Sequence, residues 1–385
     1  MFLSRFTLTL MQPELIQRWL MRTVLLFWGL TKATGWNMWV AERKFPLAPP
    51  FDWMYQVPPV IHLLLVLAAF WLMSWLFFQP ERLKLIPVLL LVTLLSDSLD
   101  QNRWQPWEYL FATLLLLVYV NRRNTDQLLH LFLFVLAALY FYSGVSKFHT
   151  GFLYASWHPL FLKQVLHFEQ PLQNPFLFYL GYSIPLLETV AALGLLFRRS
   201  RRAAAVFFML MHATLLLLIG PTGLNYNWII WPWNLGMMAL LYLSAFKIPH
   251  FSFKPVILVQ KSNVLFTLAW GVLPLAFYLN GWDAYLSAQL YSGRIHHAAI
   301  CVPGSKIPPD LQRYVVTGSY FQAEKGTIAI SLNQWAMGET NVPTYPEIRV
   351  FRKIKSEFDK QYPDAGAVLT VIRYPFTRKE VLRMR

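Results

Sequence analysis

Lys147 ends a long apolar run, at the point where a membrane helix is expected to stop. Gly144 precedes it by three residues and Tyr140 by seven, so all three positions fall on one face of a helix. Small residues at Ser143, Gly144 and Ser146 let a neighbouring helix or a flat ligand approach closely. Burial favours the neutral form of a lysine, which can then accept a proton near neutral pH. Lys147 is therefore a candidate general base for a lipid-soluble acid, such as a phenol or hydroquinone, that enters from the outer leaflet.

Two ionisable residues, Glu188 and His212, interrupt other apolar runs near their midpoints. Ionisable side chains within membrane helices are costly and by default indicate function. We therefore interpret both as candidate catalytic residues that relay protons for Lys147. The candidate substrate-binding residues are Tyr140, Gly144, His149, Asp97, Asp100, Arg103 and Asn225.

Each candidate also has a purely structural explanation. Asp97, Asp100 and Arg103 are spaced three apart, which predicts one helix face and is equally typical of an ion-pair network at a helix end. Lys147 could extend to the interface or pair with one of these carboxylates. Glu188 and His212 could be hydrogen-bonded packing residues between helices. The sequence leaves these alternatives open.

Composition places the chain among membrane proteins. It is 56% hydrophobic and only 14% charged, whereas soluble domains carry about a quarter charged residues. Repeated apolar runs of about 20 residues predict an all-α polytopic membrane bundle. The net charge of +15 is explained by basic loops and anionic lipid headgroups, so we expect membrane lipids and no nucleic acid as partners. No metal site is predicted.

About nine transmembrane helices are predicted. Their approximate ranges are 20–40, 60–78, 83–100, 107–121, 127–147, 176–197, 202–220, 226–246 and 262–280. With the N-terminus in the cytoplasm, alternate connections carry most of the Lys and Arg residues, as the positive-inside rule requires. This orientation places the C-terminal part in the periplasm of a protein of the bacterial inner membrane. No cleaved signal peptide is predicted.

Two domains are predicted: a helical bundle over residues 1–281 and a small α+β extramembrane domain over residues 282–385. In the second, alternating patterns predict strands at Tyr314–Thr317, Thr327–Leu332, Ile348–Phe351 and Ala367–Arg373, and a short helix at Ile354–Lys360. Between spans five and six, Pro159–Phe168 shows helical spacing of apolar residues and is predicted to lie flat in the outer interface.

One motif resembles the lysine motif of vitamin K-dependent gamma-glutamyl carboxylase and its bacterial HTTM-domain relatives. It is Tyr-Phe-Tyr-Ser-Gly-Val-Ser-Lys-Phe at residues 140–148, followed by Trp157. These relatives lie near the DoxX-like membrane families. Glu188 and Met211-His212 follow in a similar order, and the resemblance covers roughly residues 15–245. It implies a bundle with a site on the outer side. In the carboxylase the motif lysine deprotonates reduced vitamin K, and that role falls here on Lys147.

Two departures from the carboxylase pattern narrow this implication. Ser146 stands where the carboxylase has a second lysine, and residues 282–385 replace its large luminal region. Both favour a quinone-handling pocket, with a reduced quinone as substrate or cosubstrate, over glutamate carboxylation. The alternatives are a non-catalytic scaffold or partner subunit whose C-terminal domain binds another protein, and a small-solute or lipid transporter. The absence of repeated halves in the sequence counts against transport.

Overall fold

The structure is a computed structural model that describes residues 12–168, 174–220, 227–248, 252–316, 326–372 and 381–384. In its first part the described residues are almost entirely helical. The α-helices there are α1 Pro13–Thr34, α2 Trp36–Trp39, α3 Pro59–Phe78, α4 Leu85–Ser98, α5 Pro106–Val120, α6 Thr125–Ser146, α7 Thr150–Phe152, α8 Pro175–Leu180, α9 Ser183–Gly194, α10 Arg201–Ile219, α11 Ile230–Tyr242 and α12 Val264–Thr267.

Four helical stretches among the described residues are long and apolar enough to cross a membrane. They are Pro59–Phe78, Thr125–Ser146, Pro175–Gly194 and Arg201–Leu218, and shorter apolar helices cover Leu85–Ser98, Pro106–Val120 and Val264–Leu279. The prediction of a helical membrane protein is confirmed. Nine spans and their orientation stay predictions.

Helix α6 lies at the centre of the bundle. The Asn124 side chain caps its first turn by accepting a hydrogen bond from the Gln127 N–H, and the helix ends just before Lys147. Its apolar residues face inward on nearly all sides, as expected of a helix that other helices surround. Residues from α1, α5, α10 and α11 join α6 in one hydrophobic core.

The described residues after 282 contain five strands in one antiparallel sheet, in the order β2-β3-β1-β4-β5. The strands are β1 His297–Pro303, β2 Val315–Val316, β3 Thr327–Ser331, β4 Val368–Ile372 and β5 Val381–Met384. In the centre of the sheet, Ala299 pairs with Ser331 on one side and with Thr370 on the other. Helices α13 Leu332–Thr340 and α14 Ile348–Gln361 pack with the sheet around a second hydrophobic core.

The predicted strand at Ile348–Phe351 is wrong, because these residues form the first turn of α14. Val350, Phe351, Ile354 and Phe358 are all buried, and their spacing follows one helix face. The β-branched and aromatic residues suggested a strand because four residues cover barely more than one helical turn, which is too short to show a helical repeat. The predicted helix at Ile354–Lys360 is part of α14, whereas strands β1 and β5 were not predicted.

Candidate functional site

A cavity of about 200 Å³ lies among α6, α9, α10 and α11. A π-helical segment, Leu153–Val165, continues from α7 and forms the roof of the cavity. Most of its surface is apolar, and its polar side chains come from a few positions. The lining residues include Tyr140, Ser143, Lys147, Ser156, Trp157, Phe161, Glu188, His212, Asn234 and Tyr291.

Lys147 and Glu188 form a buried ion pair on the cavity wall. The Lys147 ammonium donates hydrogen bonds to Glu188 Oε1 at 2.9 Å and Oε2 at 2.7 Å, and to Ser143 Oγ at 2.7 Å. The two charged side chains are 10% and 3% exposed. An ammonium in this pair has no lone pair, so the group that can accept a proton is the Glu188 carboxylate. The sequence-predicted base therefore lies at the cavity, but in contact with a stronger candidate acceptor.

Gly144 brings the two charged residues together by allowing α6 and α9 to approach closely. A Cβ atom at this position would lie 2.5 Å from Thr189 Oγ1 and 2.9 Å from Thr189 N. Gly144 thus packs against the residue after Glu188 and does not line the cavity. Its predicted contact is with a neighbouring helix, one of the two partners that its small size allows.

A second polar group on the cavity wall is a chain of hydrogen bonds through His212. Tyr140 OH lies 2.6 Å from His212 Nε2, and His212 Nδ1 lies 2.5 Å from Asn234 Oδ1. The Asn234 amide in turn donates to Ile230 O at 2.6 Å. The Tyr140 ring also stacks on Phe208, with centroids 3.8 Å apart. Tyr140, Lys147, Glu188 and His212, which the sequence singled out, thus meet around one cavity.

Comparison with known proteins gives a family match over a segment that contains Lys147, Glu188 and His212. Residues 125–229 match the family model of methylamine utilisation protein MauE. MauE is a DoxX-like membrane family, so this part of the predicted resemblance is confirmed, whereas the match does not extend to the HTTM or carboxylase assignment. No curated protein matches the chain. No solved structure matches it either.

The MauE-matching segment contains most of the cavity wall and all of its roof. Trp157 and Phe161 stack with centroids 4.8 Å apart in the π-helical roof, and the Trp157 indole donates to Leu177 O at 3.0 Å. Ser156 Oγ donates to Tyr291 O at 3.0 Å, which ties the roof to residues that follow the last apolar helix. Residues 159–165 of the segment that was predicted to lie flat in the interface belong to this roof, and the interfacial position stays a prediction.

His149 supports this roof and does not line the cavity. Its Nδ1 accepts a hydrogen bond from the Gly151 N–H at 3.0 Å, so its Nε2–H donates to Ser292 O at 2.7 Å. Burial and the nearby Arg294 lower the pKa of His149 to about 4, which keeps the ring neutral. Its contacts in the structure are therefore structural, and the substrate-binding role stays a prediction. Asn225 lies outside the described residues.

Asp97, Asp100 and Arg103 lie away from the cavity, and the prediction that they share a helix face is wrong. Helix α4 ends at Ser98, so Asp100 and Arg103 belong to the following turn. Arg103 donates to Met38 O, Trp39 O and Ser96 O at 2.7–3.0 Å, and to His62 Nδ1 at 2.9 Å.

The Asp100 carboxylate pairs with Arg43, and its Oδ1 accepts from the Ala48 N–H at 3.1 Å. The Arg43 guanidinium is the main cause that holds the pKa of Asp100 below its ordinary value against the effect of burial. These bonds fix the turn after α4 in place, which matches the structural explanation for Asp100.

A second buried ion pair joins α1 to α5 and was not predicted. Lys32 Nζ lies 2.5 Å from Glu108 Oε1, and the Trp28 indole donates to Glu108 Oε2 at 2.8 Å. Lys32 also sits over the Trp39 ring, 3.3 Å from its centroid. The available signal was a lysine and a glutamate in two separate apolar runs, but their pairing depends on which helices are neighbours.

Two polar stretches of the sequence, residues 100–107 and 335–347, contact each other. Asn102 Oδ1 accepts hydrogen bonds from Thr344 Oγ1 and the Tyr345 N–H, both at 3.2 Å. Gln105 Nε2 donates to Pro343 O at 2.9 Å, and the Trp104 and Tyr345 rings meet edge to face. We call this contact the bundle–sheet junction, and it holds the sheet region against the helical bundle.

Proposed function

We propose that this membrane protein binds a lipid-soluble phenol or hydroquinone in the cavity, and that the Lys147–Glu188 pair takes its proton. The observation that carries the proposal is a buried ion pair that lines an apolar cavity. Charged groups in such surroundings are costly unless they are paired, and a charged pair that lines a cavity is typical of functional sites. The resemblance to the carboxylase supports a reduced quinone as the ligand, and hence a carboxylase- or oxygenase-like membrane enzyme.

The size of the cavity supports a ring-sized ligand. An apolar cavity of about 150 Å³ holds benzene, so one of about 200 Å³ has room for a single ring with small substituents. A two-chain phospholipid is much too large for this volume. A ligand with a long apolar tail would place its ring in the cavity and its tail in the surrounding lipid.

The proton transfer follows from the geometry of the pair. The phenolic O–H bond breaks and an O–H bond forms at the Glu188 carboxylate, which becomes a carboxylic acid. The resulting phenolate is then paired with the Lys147 ammonium, so the total charge in the cavity does not change. A preorganised cation in an apolar site stabilises such an oxyanion strongly. In this scheme the Lys147–Glu188 pair acts together as the base. Glu188 accepts the proton, and Lys147 stabilises the anion.

A chromophoric phenol, 2-nitrohydroquinone, tests this scheme because its anion absorbs visible light. With the full chain in lipid nanodiscs, we expect the bound probe to ionise at a lower pH than the free probe. A cation in direct contact should raise the acid dissociation constant of the bound probe about 10- to 1,000-fold. Lys147→Met should remove this gain while neutral probe still binds.

Lys163→Met is the matched control, because Lys163 lies in the same π-helical roof but is exposed and does not line the cavity. Equal ionisation in Lys147→Met and wild-type protein would show that the proposed role is wrong. The alternative scaffold function, with a protein partner at the C-terminal region, predicts that the probe does not bind. Under that function, Lys147→Met should restore the phenotype of cells that lack the protein as fully as wild-type protein does.

A further inference from the structure

The hydrogen-bond chain through His212 has one direction, and Asn234 sets it. The Asn234 Nδ2 group donates to Ile230 O, so its Oδ1 faces the ring and must accept from His212 Nδ1–H. The two ring nitrogens bond Asn234 and Tyr140, neither of which is charged, and burying an unpaired imidazolium would be costly. The ring is therefore neutral, and its Nε2 accepts from the Tyr140 hydroxyl.

This direction makes Tyr140 an acceptor toward the cavity. A phenol has one O–H hydrogen, and Tyr140 donates it in a hydrogen bond to His212 Nε2. The stacking of Tyr140 on Phe208 holds the ring in place, so the hydroxyl cannot turn away without losing its bond to His212. What remains for a ligand beside Tyr140 is a lone pair on the phenolic oxygen.

The other polar wall of the cavity is the Lys147–Glu188 pair. Tyr140 and Lys147 are two turns apart on α6, and the lysine reaches back one turn to Ser143. Along the helix axis, the backbone position of Tyr140 thus lies about 5 Å from that of Ser143 and about 10 Å from that of Lys147. A six-membered ring with a polar substituent at each end fits between groups at this spacing.

We propose that Asn234 is a positioning residue that makes the cavity select para-substituted phenols whose far substituent donates a hydrogen bond. This inference rests on the function proposed above. An acidic hydroxyl contacts the Lys147–Glu188 pair, and an O–H or N–H at the opposite end of the ring contacts Tyr140. A carbonyl or ether oxygen in that place would face the lone pair of Tyr140. Sites built to pair with a substrate hydroxyl reject analogues that lack it, because a buried polar atom is left unpaired.

The test compares hydroquinone with 4-methoxyphenol, both of which keep one phenolic hydroxyl. Binding to the full chain in lipid nanodiscs is measured by calorimetry under anaerobic conditions. Wild-type protein should bind hydroquinone about tenfold more tightly or better. Asn234→Leu should bring the ratio of the two affinities close to one, as should Tyr140→Phe. Asn234→Asp, which favours a charged His212 that donates to Tyr140, should shift the preference toward 4-methoxyphenol.

Asn121→Leu is the matched control. Asn121 is buried and its amide also donates to the carbonyl four residues earlier, Leu117 O at 3.1 Å, but it does not line the cavity. Its substitution should leave the ratio unchanged. Equal affinities of wild-type protein for both phenols would overturn this inference and leave the proposed function standing. Binding of neither phenol would overturn both.

Discussion

Breaking the ion pair between Lys147 and Glu188 should cost far more stability than breaking a more exposed one. Lys147→Met leaves a carboxylate that is 3% exposed without its cation, and Glu188→Gln leaves the ammonium without its anion. Removing one partner of a buried pair costs about 3–5 kcal/mol. Replacing both residues, as Lys147→Met with Glu188→Leu, removes both buried charges and should recover most of that loss.

Lys355→Met provides a matched comparison within the same chain. The Lys355 side chain is 8% exposed, close to the 10% of Lys147, and it pairs with Asp359 one turn away. The Asp359 side chain, however, is 47% exposed, so water stabilises the carboxylate that remains. We expect a cost of about 0–1 kcal/mol for this change.

Both costs are measured as free energies of unfolding by steric trapping of the full chain in bicelles. We expect wild type to be the most stable, followed by Lys355→Met, then the double variant, and then the two single variants Lys147→Met and Glu188→Gln. Equal losses for Lys147→Met and Lys355→Met would refute the reasoning, because they would mean that Glu188 is solvated. A double variant less stable than either single one would refute it as well.

Three further predictions follow from other contacts. Burial raises the pKa of Glu347 to about 7, so the folded state keeps a proton that the unfolded state releases above about pH 4.5. The free energy of unfolding should therefore fall by about 3 kcal/mol as the pH rises from 4.5 to 7. Glu347→Gln should flatten this dependence in denaturation measured across the pH range. Gly144→Ala should cost about 1–3 kcal/mol because its Cβ would meet Thr189, with a thermal shift as the measurement and unchanged stability as the contrary result. Lys32→Met should cost about 3–5 kcal/mol by leaving Glu108 buried alone, and replacing both residues with apolar ones should restore stability.

The sequence was most informative where one residue type alone determines the environment. Long apolar runs predict membrane helices because backbone groups in lipid must be paired within the segment. Lys147, Glu188 and His212 stood out because each is costly in such a run. In the structure these three residues lie around one cavity, together with Tyr140.

The sequence was least informative where an outcome depends on tertiary neighbours. Asn234 is an ordinary amide in an apolar run until His212 lies beside it. Lys32 and Glu108 pair only because α1 and α5 are adjacent. Helix α4 ends at Ser98, which separates Asp97 from Asp100. The Asp100 side chain caps the following turn locally, by accepting from the Asn102 N–H, but its bonds to Arg43 and Ala48 depend on tertiary neighbours.

The bundle–sheet junction also has a consequence for how the chain is made. Gln105 bonds a residue 238 positions later, and the Asn37 amide donates to a carbonyl 302 positions later. The ribosome delivers the early helices long before these partners exist, so Asn37 and Gln105 cannot form these bonds until Glu339 and Pro343 have been synthesised. Contacts of such long sequence separation are slow to form. A chain truncated before Glu339 would therefore leave both side chains without these partners.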